Sequence, residues 1–332
     1  MTVHVHHVHA LADALNGVTI GTPVCVGSLT VFPLLGSGTW SPNVLTLEDA
    51  VRRSALEIHE HADGATIDSV RLINHADEPV LLLEGDMLLG GKANRALNTT
   101  VLVAPHCTQT IPVSCIEVGR WGGEPKIKDV ASNAPLRVRA AISCSVSLDL
   151  AASRYSLRTD PKARRSDQRL VWRRAVRMLE AISEGTTTID LTYAYAHHAA
   201  LLRSAVHALP PLPYQVGAIF ASPCRGLMAI ELSADAATFA RLLPRLIESS
   251  LIEVLIPGPL VSIQSATDAG AKALLAELLD CELRAYPGVG LGDELRVKTR
   301  RLLATALLDS DRLLHLSACV RPPGSRADTA DD

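Results

Sequence analysis

The residues with the most chemical potential crowd into one segment, LEGDMLLGGKANRALNTTVLVAPHCTQTIPVSCIEVGRW, from Leu83 to Trp121. Glu84 and Glu117 are carboxylates of the kind that serve as general bases, and Cys115 is a thiol of the kind that serves as a nucleophile. Lys92, Arg95 and Arg120 supply positive charge, and an arginine clamps a phosphate or carboxylate through two parallel hydrogen bonds. Asn94 is suited to orient a hydroxyl or amide, and Trp121 to cover an aromatic or apolar part of the same ligand. Period-two alternation along TIPVSCIEV places Ile111, Val113, Cys115 and Glu117 on one face, with Cys115 and Glu117 about 6–7 Å apart.

A plainer reading stands beside this one. Glu84 ends an apolar strand, and a buried carboxylate needs a partner; Lys92, Arg95 and Arg120 are the nearest cations in sequence. Glu84, Arg95, Glu117 and Arg120 could therefore be an internal ion-pair network that fixes a sheet. Most buried cysteines behave as small hydrophobes, and Cys115 has no basic neighbour in sequence to favour its thiolate. Glu84, Asp86 and Glu117 carry oxygen ligands, but their spacing matches no cation-binding motif, and the cofactor stays unknown.

The elements that must position these groups are mostly strands between Leu29 and Leu150. Leu29–Leu35, Ser69–His75, Pro79–Gly85, Thr99–Ala104 and Thr110–Val118 are short, rich in branched residues and separated by turn chemistry, including Gly90-Gly91. A short helix is predicted after Thr46, an N-cap residue with Asp49 three positions on. After Leu150 the pattern changes. Helices are expected over Asp167–Glu184, Leu191–Ala208, Ala234–Ser250 and Ala266–Leu279, with strands at QVGAIFA and GLMAIEL and again over Glu282–Val320. The fold class is α+β, with a β-rich N-terminal half packed with a mixed helix and strand C-terminal half. The expected divisions are a flexible segment over 1–20, a β-rich part over 21–150 carrying the polar site, an α+β part over 151–320, and a disordered tail over 321–332.

Composition narrows the function classes. Hydrophobic residues make up 48% of the 332 and charged residues 20%, a globular balance. A net charge of −3 and an aromatic content of 3% argue against nucleic acid as a partner. No apolar run reaches the roughly 20 residues that span a bilayer, and the N-terminus lacks the pattern of a secretory signal. Seven scattered cysteines without a CxxC pair fit reduced thiols, and the expected location is cytoplasmic. His4, His6, His7 and His9 have metal-ligand chemistry but read as a frayed terminus, and His59 and His61 as surface residues. Gly288–Gly292 resembles a dinucleotide loop, yet a strand over Leu295–Lys298 is expected where that fingerprint needs a helix. The basic run Lys162–Arg177 reads as a solvated helix face.

The segment resembles the ARPP-1 family, the ARG and rhodanese-phosphatase-superfamily-associated domain. Its turn appears here as Leu83-Glu84-Gly85-Asp86, its middle box as Gly91-Lys92-Ala93-Asn94-Arg95, and its long box as Ile111–Trp121, IPVSCIEVGRW. Weaker similarity extends from Leu29 to the helix after GLMAIEL. One departure is Ala93, where the pattern has glutamine. The family's association with ADP-ribosylglycohydrolases and rhodanese or phosphatase-like proteins implies a place near ADP-ribose or NAD metabolism. The expected partner is thus a small anionic molecule such as ADP-ribose or a related nucleotide, with protein partners unknown. Lys92, Arg95 and Arg120 would hold charge, Asn94 orient and Trp121 stack. A hydrolase or transferase using Glu84, Glu117 or Cys115, and a non-catalytic scaffold, are the alternatives.

Overall fold

The computed structural model describes residues 5–36, 40–61, 66–152, 164–182, 189–256 and 266–321. The fold is mixed α+β, and its contacts divide the chain into two compact units. Unit 1 comprises Met1–Pro42, Ala200–Tyr286 and Gly292–Asp332; unit 2 comprises Asn43–Ala199 and Pro287–Leu291. These divisions differ from a cut at residue 150, because strands near the N-terminus pair with strands beyond Gln215.

Unit 1 begins with α1 (Val5–Asn16), β1 (Val18–Ile20), β2 (Val24–Val26) and β3 (Leu29–Gly36). The stretch expected to be flexible is therefore a helix followed by a strand. His7, Leu11 and Leu15 fall at intervals of four and are buried with Ala10, so the helix has an apolar stripe to bury.

Unit 2 continues with β4 (Leu45–Thr46), α2 (Leu47–Arg52), β5 (Leu56–His59), β6 (Ser69–Asn74), β7 (Val80–Leu82), β8 (Asp86–Gly90) and β9 (Arg95–Leu97). Next come β10 (Val101–Val103), β11 (Thr108–Cys115), β12 (Glu117–Val118) and β13 (Lys126–Asn133). Then follow α3 (Leu136–Ala152), α4 (Gln168–Ile182), β14 (Ile189–Asp190) and α5 (Thr192–His197). Thr46 caps α2 as expected, its hydroxyl accepting from the Asp49 amide at 3.3 Å. Helix α3 falls at the end of the stretch read as mostly strands, where no helix was expected. Leu136, Val138, Ala141, Ile142, Val146 and Leu150 are all buried, so it shows no one-sided stripe that would betray its period.

Six strands of unit 2 close into a barrel in the order β11-β6-β5-β13-β8-β9. Ile58, Val70, Leu72, Leu88, Leu97, Ile111, Val113 and Ile127 of its strands belong to one buried apolar cluster. A barrel this small has room inside only for side chains. At one rim β5, β8 and β11 end while β6, β9 and β13 begin, because Lys126 pairs with His59, Ile127 with Gly90 and Cys115 with Arg95.

Unit 1 resumes with α6 (Ala199–Ala208), β15 (Gln215–Ser222), β16 (Gly226–Ser233), α7 (Ala236–Leu255) and α8 (Asp268–Leu279). It closes with β17 (Arg284–Pro287), β18 (Asp293–Lys298), β19 (Leu302–Asp309) and β20 (Arg312–Val320). These build one sheet in the order β1-β3-β15-β16-β20-β19-β18-β17, with β2 added on β3. One face carries a core shared with α1 and α8 through Leu11, Leu15, Leu274 and Leu278. Strand β18 follows the glycine-rich run, as expected, so that run is a turn and not a nucleotide fingerprint. Of the tail expected over 321–332, all but Arg321 lies outside the described residues, as does His4.

Candidate functional site

The polar residues of the two sequence boxes meet at the barrel rim described above. Gly90 and Gly91 turn the chain from β8 into β9 with φ of 103° and 63°, a region glycine enters without steric cost. The turn delivers Lys92, Asn94 and Arg95 to the rim. Strand β11 stops at Cys115, and buried Ile116 bonds outward in two directions: its amide to the Asn94 carbonyl and its carbonyl to the Leu191 amide. Glu117 and Val118 then pair with β14, not with β9. The single strand expected over Thr110–Val118 is thus two, and the alternation does not run unbroken from Cys115 to Glu117.

Arg120 is the hub of the outer layer. Its Nε donates to Glu117 Oε1 at 2.6 Å, Nη1 to the Gly91 carbonyl at 2.9 Å and the Gly122 carbonyl at 3.2 Å, and Nη2 to Asn94 Oδ1 at 3.1 Å. The hydrogen bond to Glu117 raises the Arg120 pKa above the ordinary arginine value, against the opposing effect of burial; the charges of Glu117, Asp190 and Cys115 add to the rise. Glu117 has both oxygens engaged, since Oε2 accepts from the Asn94 amide at 3.0 Å. Asn94 in turn donates from Nδ2 to Asp190 Oδ2 at 3.1 Å and accepts from the Gly90 amide at 3.0 Å.

Beneath this layer lies Arg95, whose side chain has no exposed surface. Parity explains it: Arg95 shares its strand face with Leu97, and Glu60 shares its face with Leu56 and Ile58, all members of the barrel core. Arg95 Nη2 lies 3.3 Å from Glu60 Oε1, and Nη1 donates to the Ala93 carbonyl at 3.0 Å. Trp121 lies over the Arg95 guanidinium, with Arg95 Cζ 5.2 Å from its ring centroid, a cation–π distance. The tryptophan is 48% exposed, so much of it is open to solvent. Gly122 donates its amide to the Lys92 carbonyl at 3.0 Å, which sets the Trp121 segment against Lys92. The Lys92 side chain makes no ion pair among the described residues.

Two expectations change on this geometry. Glu84 is not at the rim. It is buried before β8, whose far end, Gly90, forms the rim, and at about 3.3 Å per residue the two ends stand roughly 13 Å apart. Lys92, Arg95 and Arg120 therefore do not face it. The Glu84 carbonyl accepts from Asn133 Nδ2 at 3.0 Å, and the same side chain donates to Asp86 Oδ1 at 3.0 Å. Asp86 Oδ2 accepts from the Leu83 amide at 2.7 Å, so Asp86 fixes a turn at the opposite rim. Cys115 is buried, and its thiol donates to the Glu117 carbonyl at 2.8 Å. Its backbone is held by Gln168, whose side-chain amide accepts from the Cys115 amide at 2.9 Å and donates to the Cys115 carbonyl at 2.8 Å.

Three contributors lay outside the sequence segment. Glu60 carries a local signal, a carboxylate continuing the inward parity of Leu56 and Ile58. Asp190 is held locally, its two oxygens accepting from Thr192, from the amide at 3.0 Å and from the hydroxyl at 2.8 Å. Gln168 gave no local signal. Among the described residues no group of three or more His, Cys, Asp or Glu is arranged to hold a metal ion. Nor is any helix there long and apolar enough to cross a membrane.

Comparison with family models matches residues 17–319 to ARPP-1, the ARG and Rhodanese-Phosphatase-superfamily-associated Protein domain. No curated protein and no solved structure matches the chain.

Proposed function

Because the chain belongs to the ARPP-1 family, we propose that the barrel rim is a binding platform for a small anionic ligand. ADP-ribose or a related nucleotide is the class the family's association suggests. The observation that carries the reading is Trp121: one face rests on the Arg95 guanidinium, about half its surface is open, and an unpaired Lys92 adjoins its segment. A tryptophan held in this way offers a flat surface to a base, and the ammonium a partner to a phosphate. Arg120, Glu117 and Asn94 bond to one another and to the turn, so their part is to hold the platform in place. Arg95 supports the tryptophan from below.

This division of labour favours binding over catalysis. Glu117 would have to release both Arg120 and the Asn94 amide to act as a base, and the Cys115 thiol points its hydrogen at a carbonyl. Calorimetric titration with ADP-ribose, AMP and inorganic phosphate tests the proposal. Binding of ADP-ribose or AMP should weaken about tenfold or more in Trp121→Ala, in keeping with the worth of one base stack. Lys92→Ala should weaken all ligands that carry phosphate. Absence of binding by every one of these ligands would sink the reading. Turnover that is lost in Glu117→Gln while binding persists would favour a hydrolase or transferase instead.

A further inference from the structure

We propose that a cleft in unit 1 binds a zwitterion with an apolar body, a free amino acid or a short peptide. The cleft shares no residue with the barrel rim of unit 2, so the site is independent of the nucleotide platform.

The cleft holds about 450 Å³, within the range of about 300–1,000 Å³ usual for small-molecule sites. It opens at the end of the sheet where β3 and β16 stop and β15 and β20 start, and α1 forms its other wall. The sequence explains why the space is not filled. Intervals of three and four put Ala10, Asp13, Ala14 and Gly17 on one face of the α1 segment, where Ala10, Ala14 and Gly17 reach little beyond the backbone. Leu11 and Leu15, on the neighbouring face, enter the core instead. The floor of the cleft is apolar, since Val216, Leu232 and Leu313 belong to that same core.

Charge comes from two sides. Asp13 lies on α1, and Asp311 and Arg312 lie at the hairpin between β19 and β20. That hairpin is a two-residue turn: Asp309 pairs with Arg312, and Ser310 and Asp311 have φ of 50° and 59°, positive values that match the twist of the strands. Arg312 is thereby fixed as the first residue of β20. Its guanidinium lies over Trp40, a further wall of the cleft, with Cζ 5.7 Å from the ring centroid. Although Asp13, Asp311 and Arg312 line one cleft, none of them forms an ion pair among the described residues. The cleft therefore offers both signs of charge around an apolar floor. A ligand with only negative charge would face two carboxylates, and one with only positive charge would lie beside the guanidinium. A zwitterion answers both: its ammonium donates to the carboxylates, and its carboxylate accepts from the Arg312 fork. Its apolar body covers Val216, Leu232 and Leu313.

The test titrates L-leucine and the dipeptide Leu-Leu into the full chain by calorimetry, each also with its carboxylate amidated and with its amine acetylated. The tighter of the two parent ligands identifies the source. Blocking either end of it should weaken binding about tenfold or more, the worth of a hydrogen bond to a charged group. In Arg312→Gln the parent should bind within about threefold of its amidated form, while acetylation of the amine still weakens binding. Ala14→Leu puts a larger side chain into the cleft and should abolish binding. Blocked forms that bind as well as the parent, a carboxylate preference unchanged in Arg312→Gln, binding retained in Ala14→Leu, or no binding by either parent overturns the proposal. Arg312 is exposed, so the wild-type and Arg312→Gln comparisons decide the matter even if Ala14→Leu folds poorly.

Discussion

At the residue scale the barrel mouth is governed by two charges with almost no contact with water. Desolvating an ion pair costs much of what its attraction returns, so the pair is worth little relative to an apolar filling. Breaking it is another matter. Glu60→Ala leaves Arg95 buried without its anion and should lower the unfolding free energy by about 3–5 kcal/mol. The double variant Glu60→Leu/Arg95→Met should recover most of that loss. Urea denaturation of the two variants checks this, and a single variant no worse than the double would refute it. Arg120 differs because its side chain is partly exposed and bonds to four groups in a fork. Arg120→Lys keeps the charge but not the fork, and should cost about 1–2 kcal/mol in the same assay. The arginines, Glu117 and Asn94 were legible in the sequence because their types and close spacing announce a polar cluster. Glu84 misled for the same reason: it is near in sequence, but a strand separates it from the rim. Glu60 was hidden by its distance along the chain, although its parity with Ile58 pointed inward.

The element that places the whole cluster is the turn between β8 and β9. At Gly91 the backbone has φ of 63°, and a Cβ there would sit 2.9 Å from Glu60 Oε1 and 3.3 Å from Ile127 Cγ1. Gly91→Ala therefore meets two penalties, the left-handed backbone and a push on the carboxylate that holds Arg95 and the Lys92 amide. A loss of about 2 kcal/mol is expected, as for a residue forced into that region. Gly122 is the control: an added Cβ meets nothing within 4 Å, so Gly122→Ala should be close to neutral. Equal effects in the two variants, read by thermal unfolding, would remove the turn from its assigned role. Elements with a clear period were legible from sequence, such as β3, β6 and the capped α2. Helix α3 was not, since a helix buried on most of its surface has no polar face to mark it. The break at Ile116 was also invisible, because it is set by the Asn94 carbonyl and the Leu191 amide, groups far from it in sequence.

For the whole molecule, chain order conceals how the units are assembled. Strand β3 pairs with β15, and the residues between them form most of unit 2. Composition along the chain marks a change near residue 150 but cannot reveal that pairing, which depends on contacts and not on local pattern. The chain leaves unit 2 at Ala199, directly after His198. Burial lowers the His198 pKa below the ordinary histidine value, and the neighbouring His197, with ring centroids 4.8 Å apart, lowers it further; a backbone hydrogen bond at Ile182 opposes them. The sign of the consequence follows from proton counting. Once the pH falls below about 6.5, the unfolded chain binds a proton at this site that the folded chain resists. Folding stability should therefore be unaffected by His198 at pH 7.5 and above, and should decline as the pH drops through about 6.5 toward the depressed folded value. Replacing His198 with Gln removes that part of the slope. Urea midpoints at pH 7.5 and 5.5 should show a larger acid loss in the wild type than in His198→Gln, whatever the other histidines contribute to both. Equal losses would show that protonation of His198 does not couple to folding.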